Sequence, residues 1–185
     1  MIRTFRPWQL FEHLGMDNDL HIKIPTVPGT TSRTVFMLET ALLVAAARIV
    51  KARTILEIGT CMGYTAMNLA INTDAKITSW DIDHRPQIWE GTEWEDRITY
   101  RMVPQKRNRI KQFDMVFVDA NHDYNHVKAD TLKAFKMDPR CVVWHDYNNP
   151  MEPGVMKYLS ELAQTHNLIH VQDSWLCFWF KEDLK

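Results

Sequence analysis

The sequence predicts an α/β fold with a single doubly wound, mostly parallel sheet and helices on both faces. Apolar segments of strand length alternate with segments of helical periodicity along most of the chain, and this alternation is typical of parallel strands joined by crossover helices. The last two apolar segments are separated only by residues 172–175. That connection is too short for a crossover helix, so we expect these two strands to pair antiparallel.

The predicted strands are short apolar runs bounded by turn-forming residues. They are Arg53–Ile58, Lys76–Asp81, Arg97–Met102, Phe113–Asp119, Arg140–His145, Leu168–Val171 and Leu176–Lys181. Helical segments lie between most of them: Ser32–Lys51, Tyr64–Ile71, Arg85–Trp94, Tyr124–Phe135 and Gly154–Thr165. The first helix is apolar on most faces and should be largely buried. It follows a turn-rich loop at 25–32, and a second, basic loop is expected at 104–109.

The length of 185 residues indicates one domain. Periodicity is weak over Met1–Ile24, so we expect residues 1–31 to form an N-terminal arm that packs on the domain or caps its site. A cap contributed by a second subunit of a homo-oligomer is a further hypothesis.

Composition excludes several classes of protein. The 22 basic and 23 acidic residues give a net charge of −1, which argues against a nucleic-acid binder that relies on a basic face. The most apolar run, Val35–Val50, is interrupted by Glu39 and Arg48 and is too short to span a bilayer. The N-terminus does not resemble a signal peptide, and three widely spaced cysteines favour a reducing compartment. We therefore expect a cytoplasmic protein without membrane or nucleic-acid partners.

A nucleotide cofactor is predicted at the carboxyl ends of the first two strands. Ligands of open α/β sheets bind at that edge, and the turn after the first strand contains Gly59 and Gly63, which allow close approach to the backbone. Asp81 and Asp83 follow the second strand, where a carboxylate can accept hydrogen bonds from ribose hydroxyls.

Two common nucleotide motifs do not match this turn. A dinucleotide motif G-x-G-x-x-G aligned on Gly59 places Cys61 and Tyr64 at its second and third glycines. A P-loop requires a Gly-Lys pair, which the sequence lacks.

The turn instead resembles the acidic-x-G-x-G-x-G motif of class I S-adenosylmethionine (SAM) methyltransferases. Glu57, Gly59 and Gly63 match the motif, and Cys61 stands where a glycine is usual. The resemblance implies a Rossmann-like fold and methyl transfer from SAM.

Two further motifs resemble one branch of small-molecule O-methyltransferases, which includes macrocin-type sugar O-methyltransferases and cephalosporin-hydroxylase-like proteins. The segment Asp119–Asp130 follows the signature D-x-x-H-x-Y-x-x-V-x-x-D, and His145–Tyr147 with Pro153–Val155 matches an "HDY…PGV" element. The resemblance covers roughly residues 30–181 and implies a hydroxyl acceptor on a sugar or another polyhydroxylated metabolite.

Carried over position by position, the resemblance implies a set of cofactor-binding residues. The methionine part of SAM would lie along the glycine turn. The ribose would bind at Asp81, with Asp83 as the alternative, and the adenine would lie near the end of the third predicted strand. The reacting methyl group would face Asp119. The implied set is Glu57, Gly59, Thr60, Cys61, Gly63, Asp81, Ile82, Met102, Val103 and Asp119.

Polar residues after the fourth and fifth strands are the implied catalytic centre. In metal-dependent relatives, acidic residues at these positions hold Mg²⁺, and the corresponding oxygen ligands here are Asp119, Asp146 and Asn148. His145 stands where some of those relatives have a second acid. Without a metal, His122 or His145 would be the general base. Alternatively, His122 would only hydrogen-bond a backbone carbonyl, and His145 would only orient the turn after the fifth strand. The implied catalytic residues are Asp119, His122 and His145.

Two other interpretations remain open. His122 and His126 are spaced as the histidines of a helical zinc-hydrolase motif, with an aspartate in place of the glutamate. The chain could also be a SAM-binding domain without catalytic activity that acts as a sensor or interaction module.

Overall fold

The computed structural model of the protein describes residues 1–14, 21–23, 37–103 and 111–184. The predicted loops at 25–32 and 104–109 and the first turn of the predicted helix Ser32–Lys51 lie outside these residues. The strands are β1 (Ile2–Phe5), β2 (Thr54–Ile58), β3 (Lys76–Asp81), β4 (Ile98–Met102), β5 (Met115–Val118), β6 (Cys141–Trp144), β7 (Leu168–Val171) and β8 (Cys177–Phe180). The α-helices are α1 (Pro7–Phe11), α2 (Met37–Ile49), α3 (Tyr64–Asn72), α4 (Tyr124–Phe135) and α5 (Pro153–Leu162).

The described strands form one eight-stranded sheet in the order β1-β7-β8-β6-β5-β2-β3-β4. Strand β8 runs antiparallel to both β6 and β7, and the other neighbouring strands are parallel. The predicted doubly wound sheet with a C-terminal antiparallel strand is therefore confirmed. The central strand β2 lies between β3 and β5, so the carboxyl ends of these three strands meet at one edge.

Alternate residues of the central strands enter two hydrophobic cores, one on each face of the sheet. On β5, Met115 and Phe117 pack with helices α1, α2 and α3, whereas Val116 and Val118 pack with α4 and α5. Because both faces are buried, strands β5 and β6 consist of continuous apolar runs. The indole of Trp144 is fully buried on β6, and its Nε1–H donates to Thr131 Oγ1 at 2.8 Å.

The N-terminal residues contribute an edge strand that the sequence did not predict. Strand β1 pairs in parallel with β7, with Ile2 opposite Leu168 and Phe5 opposite Val171. Two of its four residues are partly buried and one is exposed, so it lacks the strict alternation that identifies a strand in a sequence. Its position is determined by backbone hydrogen bonds to β7.

The predicted helix Arg85–Trp94 is wrong. The segment forms a series of turns that ends in a short 3-10 helix at Glu95–Arg97. The side chain of Gln87 donates to the carbonyl of Cys61 at 3.2 Å, and the N–H of Ile88 donates to the carbonyl of Met62 at 3.2 Å. These contacts with the preceding glycine turn take the place of intrahelical hydrogen bonds.

We expect Thr131→Val to destabilise the protein by about 1–3 kcal/mol, because the buried Trp144 indole loses its acceptor while the side-chain volume is kept. Thr131→Ser keeps the hydroxyl and should lie closer to the wild type. Urea unfolding followed by tryptophan fluorescence measures both variants. A valine variant as stable as the wild type would contradict a structural role for this hydrogen bond.

Candidate active site

Four neighbouring strands end at the same edge of the sheet and bring the predicted site residues together. In the order β3, β2, β5 and β6, the positions at or just after the strand ends are Asp81, Gly59, Asp119 and His145. The N–H of Asp119 donates to the carbonyl of Ile58 at 2.8 Å, so the ladder between β2 and β5 continues to the last residue. This pairing fixes the distance between the glycine turn and the carboxylate.

The glycine turn needs glycine at both predicted positions. Gly59 has φ +100, and a Cβ placed there would lie 2.0 Å from the carbonyl oxygen of Asp119. Gly63 has φ +86, and a Cβ there would lie 1.9 Å from the ring of Trp89. Cys61 also has a positive φ of 50. Its left-handed backbone agrees with the glycine that is usual at this position in the related motif.

The carboxylate of Asp81 holds the turn in place. Its Oδ2 accepts hydrogen bonds from the N–H groups of Thr60 at 3.0 Å and Cys61 at 2.8 Å. Its Oδ1 accepts from the N–H groups of Ile82 at 2.7 Å and Asp83 at 3.1 Å. A carboxylate offers about four lone-pair sites, so a ribose hydroxyl at Asp81 would have to share an oxygen with one of these N–H groups.

The remaining predicted cofactor residues lie around Asp81. Met102 is opposite Asp81 in the register of β3 and β4, and the N–H of Val103 donates to the Asp81 carbonyl at 2.9 Å. Ile82 is 72% exposed and Met102 is 46% exposed. Exposed apolar side chains at this point suit an adenine ring. The carboxylate of Asp83 is exposed and pairs with the Arg85 guanidinium at 3.3 Å.

Glu57 is buried behind the turn. Its carboxyl group accepts a hydrogen bond from the Ser79 hydroxyl, which also contacts Thr60 Oγ1 at 2.6 Å. Burial, assisted by the nearby charges of Asp119 and Asp81, raises the pKa of Glu57 to about 8. The carboxyl group is therefore largely protonated at neutral pH.

Two carboxylates and two imidazoles meet after β5 and β6. We call Asp119, His122, His145 and Asp146 the strand-end cluster. Asp119 Oδ1 lies 3.4 Å from His122 Nε2 and 3.3 Å from His145 Nδ1. Asp146 Oδ2 lies 3.1 Å from each of the same two nitrogens. Asp119 therefore contacts both of the predicted catalytic histidines.

Charge compensation governs the pKa values in this cluster. Burial alone would lower the pKa of His145, but Asp119, Asp146 and Glu39 outweigh burial and raise it to about 12. The pKa of His122 is raised, chiefly by its hydrogen bond to Asp119. Burial would raise the pKa values of Asp119 and Asp146, but the neighbouring histidines outweigh burial and lower both.

Sequence reasoning missed Glu39, which approaches the cluster from α2. Its side chain is 1% exposed, its Oε2 lies 3.2 Å from His145 Nε2, and its Oε1 accepts the N–H of Trp175 at 2.7 Å. A single acid within an otherwise apolar helix was the available signal, because a buried carboxylate requires polar partners.

The amide next to the predicted metal ligand Asn148 also contacts the cluster. Asn149 Nδ2 donates to Asp146 Oδ1 at 2.6 Å, whereas Asn148 is exposed and has φ +66. Metal binding by Asn148 stays a prediction.

The "PGV" element supports the loop that carries His122. A Cβ at Gly154 would lie 2.4 Å from the His122 carbonyl oxygen and 2.6 Å from the Tyr124 nitrogen, so glycine allows α5 to pack against this loop. His122 itself precedes α4, whose N-cap is Asp123. The zinc-hydrolase interpretation is therefore wrong, because His122 and the exposed His126 do not share a helix face.

A mostly parallel sheet with a glycine turn after β2, a carboxylate after β3 and polar residues after β5 and β6 defines the class I methyltransferase fold. Residues 56–147, about half of the chain, match the family model described as a methyltransferase domain. The chain belongs to this family and is a SAM-dependent methyltransferase of class I.

Solved structures share the fold at low sequence identity. The O-methyltransferase TomG from Streptomyces achromogenes, involved in tomaymycin synthesis and solved with SAM, is 22% identical, with a TM-score of 0.60 over 80% of this chain and 82% of that chain. An O-methyltransferase from Bacillus cereus, solved with S-adenosylhomocysteine (SAH), is 17% identical, with a TM-score of 0.59 over 95% of this chain and 90% of that chain. Among curated proteins, no significant match is found.

Within the described residues, no helix has the length and apolarity needed to cross a bilayer.

The buried Glu57 should make stability depend on pH. Between about pH 4.5 and 8 the folded state keeps the proton that the unfolded state releases, so the free energy of unfolding falls as pH rises. This group contributes up to about 1.4 kcal/mol per pH unit. Glu57→Gln keeps a neutral hydrogen-bonding side chain and should gain stability relative to the wild type as pH rises from 5 to about 8.

Urea unfolding at several pH values measures this difference, with Asp74→Asn as a control that removes an exposed carboxyl group. A stability difference between wild type and Glu57→Gln that stays constant across this pH range would show that Glu57 is ionised in the folded protein.

Proposed function

We propose that the protein transfers the methyl group of SAM to a hydroxyl oxygen of a small molecule, with a sugar or another polyhydroxylated metabolite as the acceptor class. The observation that carries this proposal is the contact between the glycine turn and the strand-end cluster: Gly59 packs directly against the backbone of Asp119. A cofactor on the turn therefore presents its reactive end to two imidazoles and two carboxylates. Cofactor binding alone does not require such a cluster.

In this proposal, three groups of residues bind three parts of the cofactor. The turn formed by Glu57, Gly59, Thr60, Cys61 and Gly63 lies along the methionine part. Asp81 fixes the turn and faces the ribose. The exposed side chains of Ile82 and Met102, with Val103, flank the adenine. SAM supplies the activated methyl group, and the protein supplies alignment of the acceptor and removal of a proton.

The transfer forms a carbon–oxygen bond, breaks the bond between sulfur and the methyl carbon, and releases SAH and the hydroxyl proton. His122 is the more exposed imidazole of the cluster, with 25% of its side chain accessible against 12% for His145. His122 in its neutral form is therefore our candidate for the general base. Asp119 orients it at 3.4 Å, and His145 holds Asp119 from the other side.

Mg²⁺ assistance, which the family resemblance implies, fits this cluster poorly. Asp119 and Asp146 offer the oxygen ligands that Mg²⁺ prefers. Both oxygens, however, face imidazole nitrogens, and imidazole suits transition metals better than Mg²⁺. We therefore assign Mg²⁺ no step in the reaction.

Replacing Asp119 should separate binding from catalysis. We expect Asp119→Asn to reduce methyl transfer at least a hundredfold, since positioned acid–base groups contribute roughly 10²–10⁴-fold. SAH affinity should change only a few-fold. SAH release from SAM is measured with a panel of sugars and phenols, and binding by calorimetry. Asp130→Asn on α4, in the same signature, is the matched control. Unchanged turnover in Asp119→Asn would remove Asp119 from the mechanism.

The same assays test the alternative function. Wild-type SAH binding without turnover on the whole panel would favour the non-catalytic sensor.

The two carboxylates after β3 can be distinguished by affinity. We expect Asp81→Asn to weaken SAH binding about tenfold or more, about 1.4 kcal/mol, because an amide nitrogen would face backbone N–H groups of the turn. Asp83→Asn should change affinity less than about threefold, a shift worth under about 0.7 kcal/mol. The reverse ranking in calorimetric titrations would move the ribose contact from Asp81 to Asp83.

A further inference from the structure

We propose that Glu39 is a positioning residue of the active site, which holds the His145 ring in the orientation that directs its Nδ1–H at the two aspartates of the strand-end cluster. His145 is thereby fixed as a hydrogen-bond donor, and His122 is left as the imidazole that can remove the acceptor's proton. This inference rests on the proposed methyl transfer. It adds to that reaction a residue on α2, outside the segment 56–147 that matches the family model.

Both nitrogens of the His145 ring face carboxylate oxygens. Nε2 lies 3.2 Å from Glu39 Oε2, and Nδ1 lies 3.1 Å from Asp146 Oδ2 and 3.3 Å from Asp119 Oδ1. An ionised carboxylate only accepts hydrogen bonds, so each nitrogen can bond to its neighbours only if it carries a hydrogen. The His145 ring therefore donates on both sides and has no lone pair with which to remove a proton.

A single orientation of the ring makes these contacts. Rotation of the ring by half a turn about its Cβ–Cγ bond would exchange nitrogens for carbons, and ring carbons would then face the carboxylates. The rings of Phe117 and Trp175 also pack against the imidazole, each with its centroid 6.2 Å away. Neither ring offers a hydrogen-bond acceptor to the imidazole nitrogens. The carboxylate of Glu39 therefore anchors Nε2 on the buried side of the ring.

Glu39 can anchor the ring because its two oxygens serve two donors. Oε2 faces His145 Nε2, and Oε1 accepts the N–H of Trp175 at 2.7 Å. A glutamine side chain has one oxygen and one amino group, so it could not accept from both donors at once. The bond to Trp175 holds the carboxylate against the turn between β7 and β8, so Glu39 is itself fixed in position.

The influence of Glu39 reaches His122 through the two aspartates. The same two oxygens that the His145 ring meets, Asp119 Oδ1 and Asp146 Oδ2, lie 3.4 and 3.1 Å from His122 Nε2. A base that is oriented by a further group is a recurring arrangement in enzymes that activate a nucleophile. Glu39 is fully buried and acts through His145, so its role is to position the base and not to touch the acceptor.

Steady-state kinetics of Glu39→Gln tests the proposal. The substrates are SAM and an acceptor that the wild type methylates. We expect kcat to fall about ten- to a hundredfold, because a misplacement of about 1 Å at a reacting group can cost about a hundredfold in rate. The KM for SAM should change less than about threefold, since only an interaction that matters in the transition state is removed. A kcat equal to that of the wild type would overturn the proposal.

Asp114→Asn is the matched control. Asp114 also accepts two backbone N–H groups, those of Arg53 at 2.7 Å and Thr54 at 3.0 Å, but it precedes β5 at the opposite edge of the sheet. Its replacement should lower the unfolding temperature and leave kcat unchanged. SAH titration verifies that each variant is folded. If this control lowers kcat as much as Glu39→Gln does, the loss reports general destabilisation and the proposal is overturned.

A double variant shows whether Glu39 acts through His145. In a His145→Gln background, Glu39→Gln should lower kcat less than about threefold further, because residues that act as a unit have strongly non-additive effects. If the two losses multiply as independent effects do, Glu39 does not act through His145 and the proposal is overturned.

NMR spectroscopy reports the state of the ring without turnover. In protein labelled with ¹⁵N at histidine, His145 should give two N–H signals at about pH 8, where a free imidazole with a pKa of about 6.5 is neutral. The signals are assigned by their absence in His145→Gln, and Glu39→Gln should retain only one of them. A wild-type ring with a single N–H overturns the proposal, and this result does not require that Glu39→Gln fold.

The two possible failures are distinguishable. A wild type that methylates an acceptor, with Glu39→Gln equally active, rejects the positioning role and leaves the proposed methyl transfer standing. A wild type that binds SAH but methylates no acceptor rejects the methyl transfer, and the role of Glu39 in that reaction falls with it.

Discussion

The backbone of Gly59 lies against the carbonyl of Asp119, and the geometry of the site depends on this close approach. A side chain at position 59 would overlap the Asp119 carbonyl, with its Cβ only 2.0 Å away. Because β2 and β5 are hydrogen-bonded neighbours, the absence of a Cβ lets the glycine turn and the Asp119 carboxylate share one edge without a gap. Gly63 likewise leaves room for the Trp89 ring to pack against the turn. This contact holds the segment after β3 against the turn, and the segment does not form a helix.

The second constraint is electrostatic. Placing Glu39, Asp119 and Asp146 in a poorly hydrated region would be costly if the carboxylates were unpaired. The imidazoles of His122 and His145 compensate this charge, and His145 connects α2 with β6 across 106 residues of sequence. The contact fixes α2 over the end of the sheet, so the polar cluster also orients a helix. His145 contacts all three carboxylates, so its loss would remove a compensating charge from each of them, which is costly for buried groups.

The central elements could be predicted because their signals are local. Strand β3 (Lys76–Asp81) and helix α4 (Tyr124–Phe135) have the bounds that apolar runs and helical periodicity indicate. Strand β1 escaped prediction because an edge strand is held by its neighbour's backbone and needs no buried face. The segment after β3 was misread because contacts with the glycine turn, distant in sequence, override its local preference.

The sequence by itself determined which residues reach the functional edge. Parallel strands point their carboxyl ends the same way, so Gly59, Asp81, Asp119 and His145 had to meet there once the strands were identified. Only the tertiary structure decided which atoms touch: the four N–H groups on Asp81, the carboxylate–imidazole contacts of the strand-end cluster, and the approach of Glu39 from α2. These contacts depend on side-chain rotation and on packing between segments far apart in the chain, which no local pattern of residues encodes.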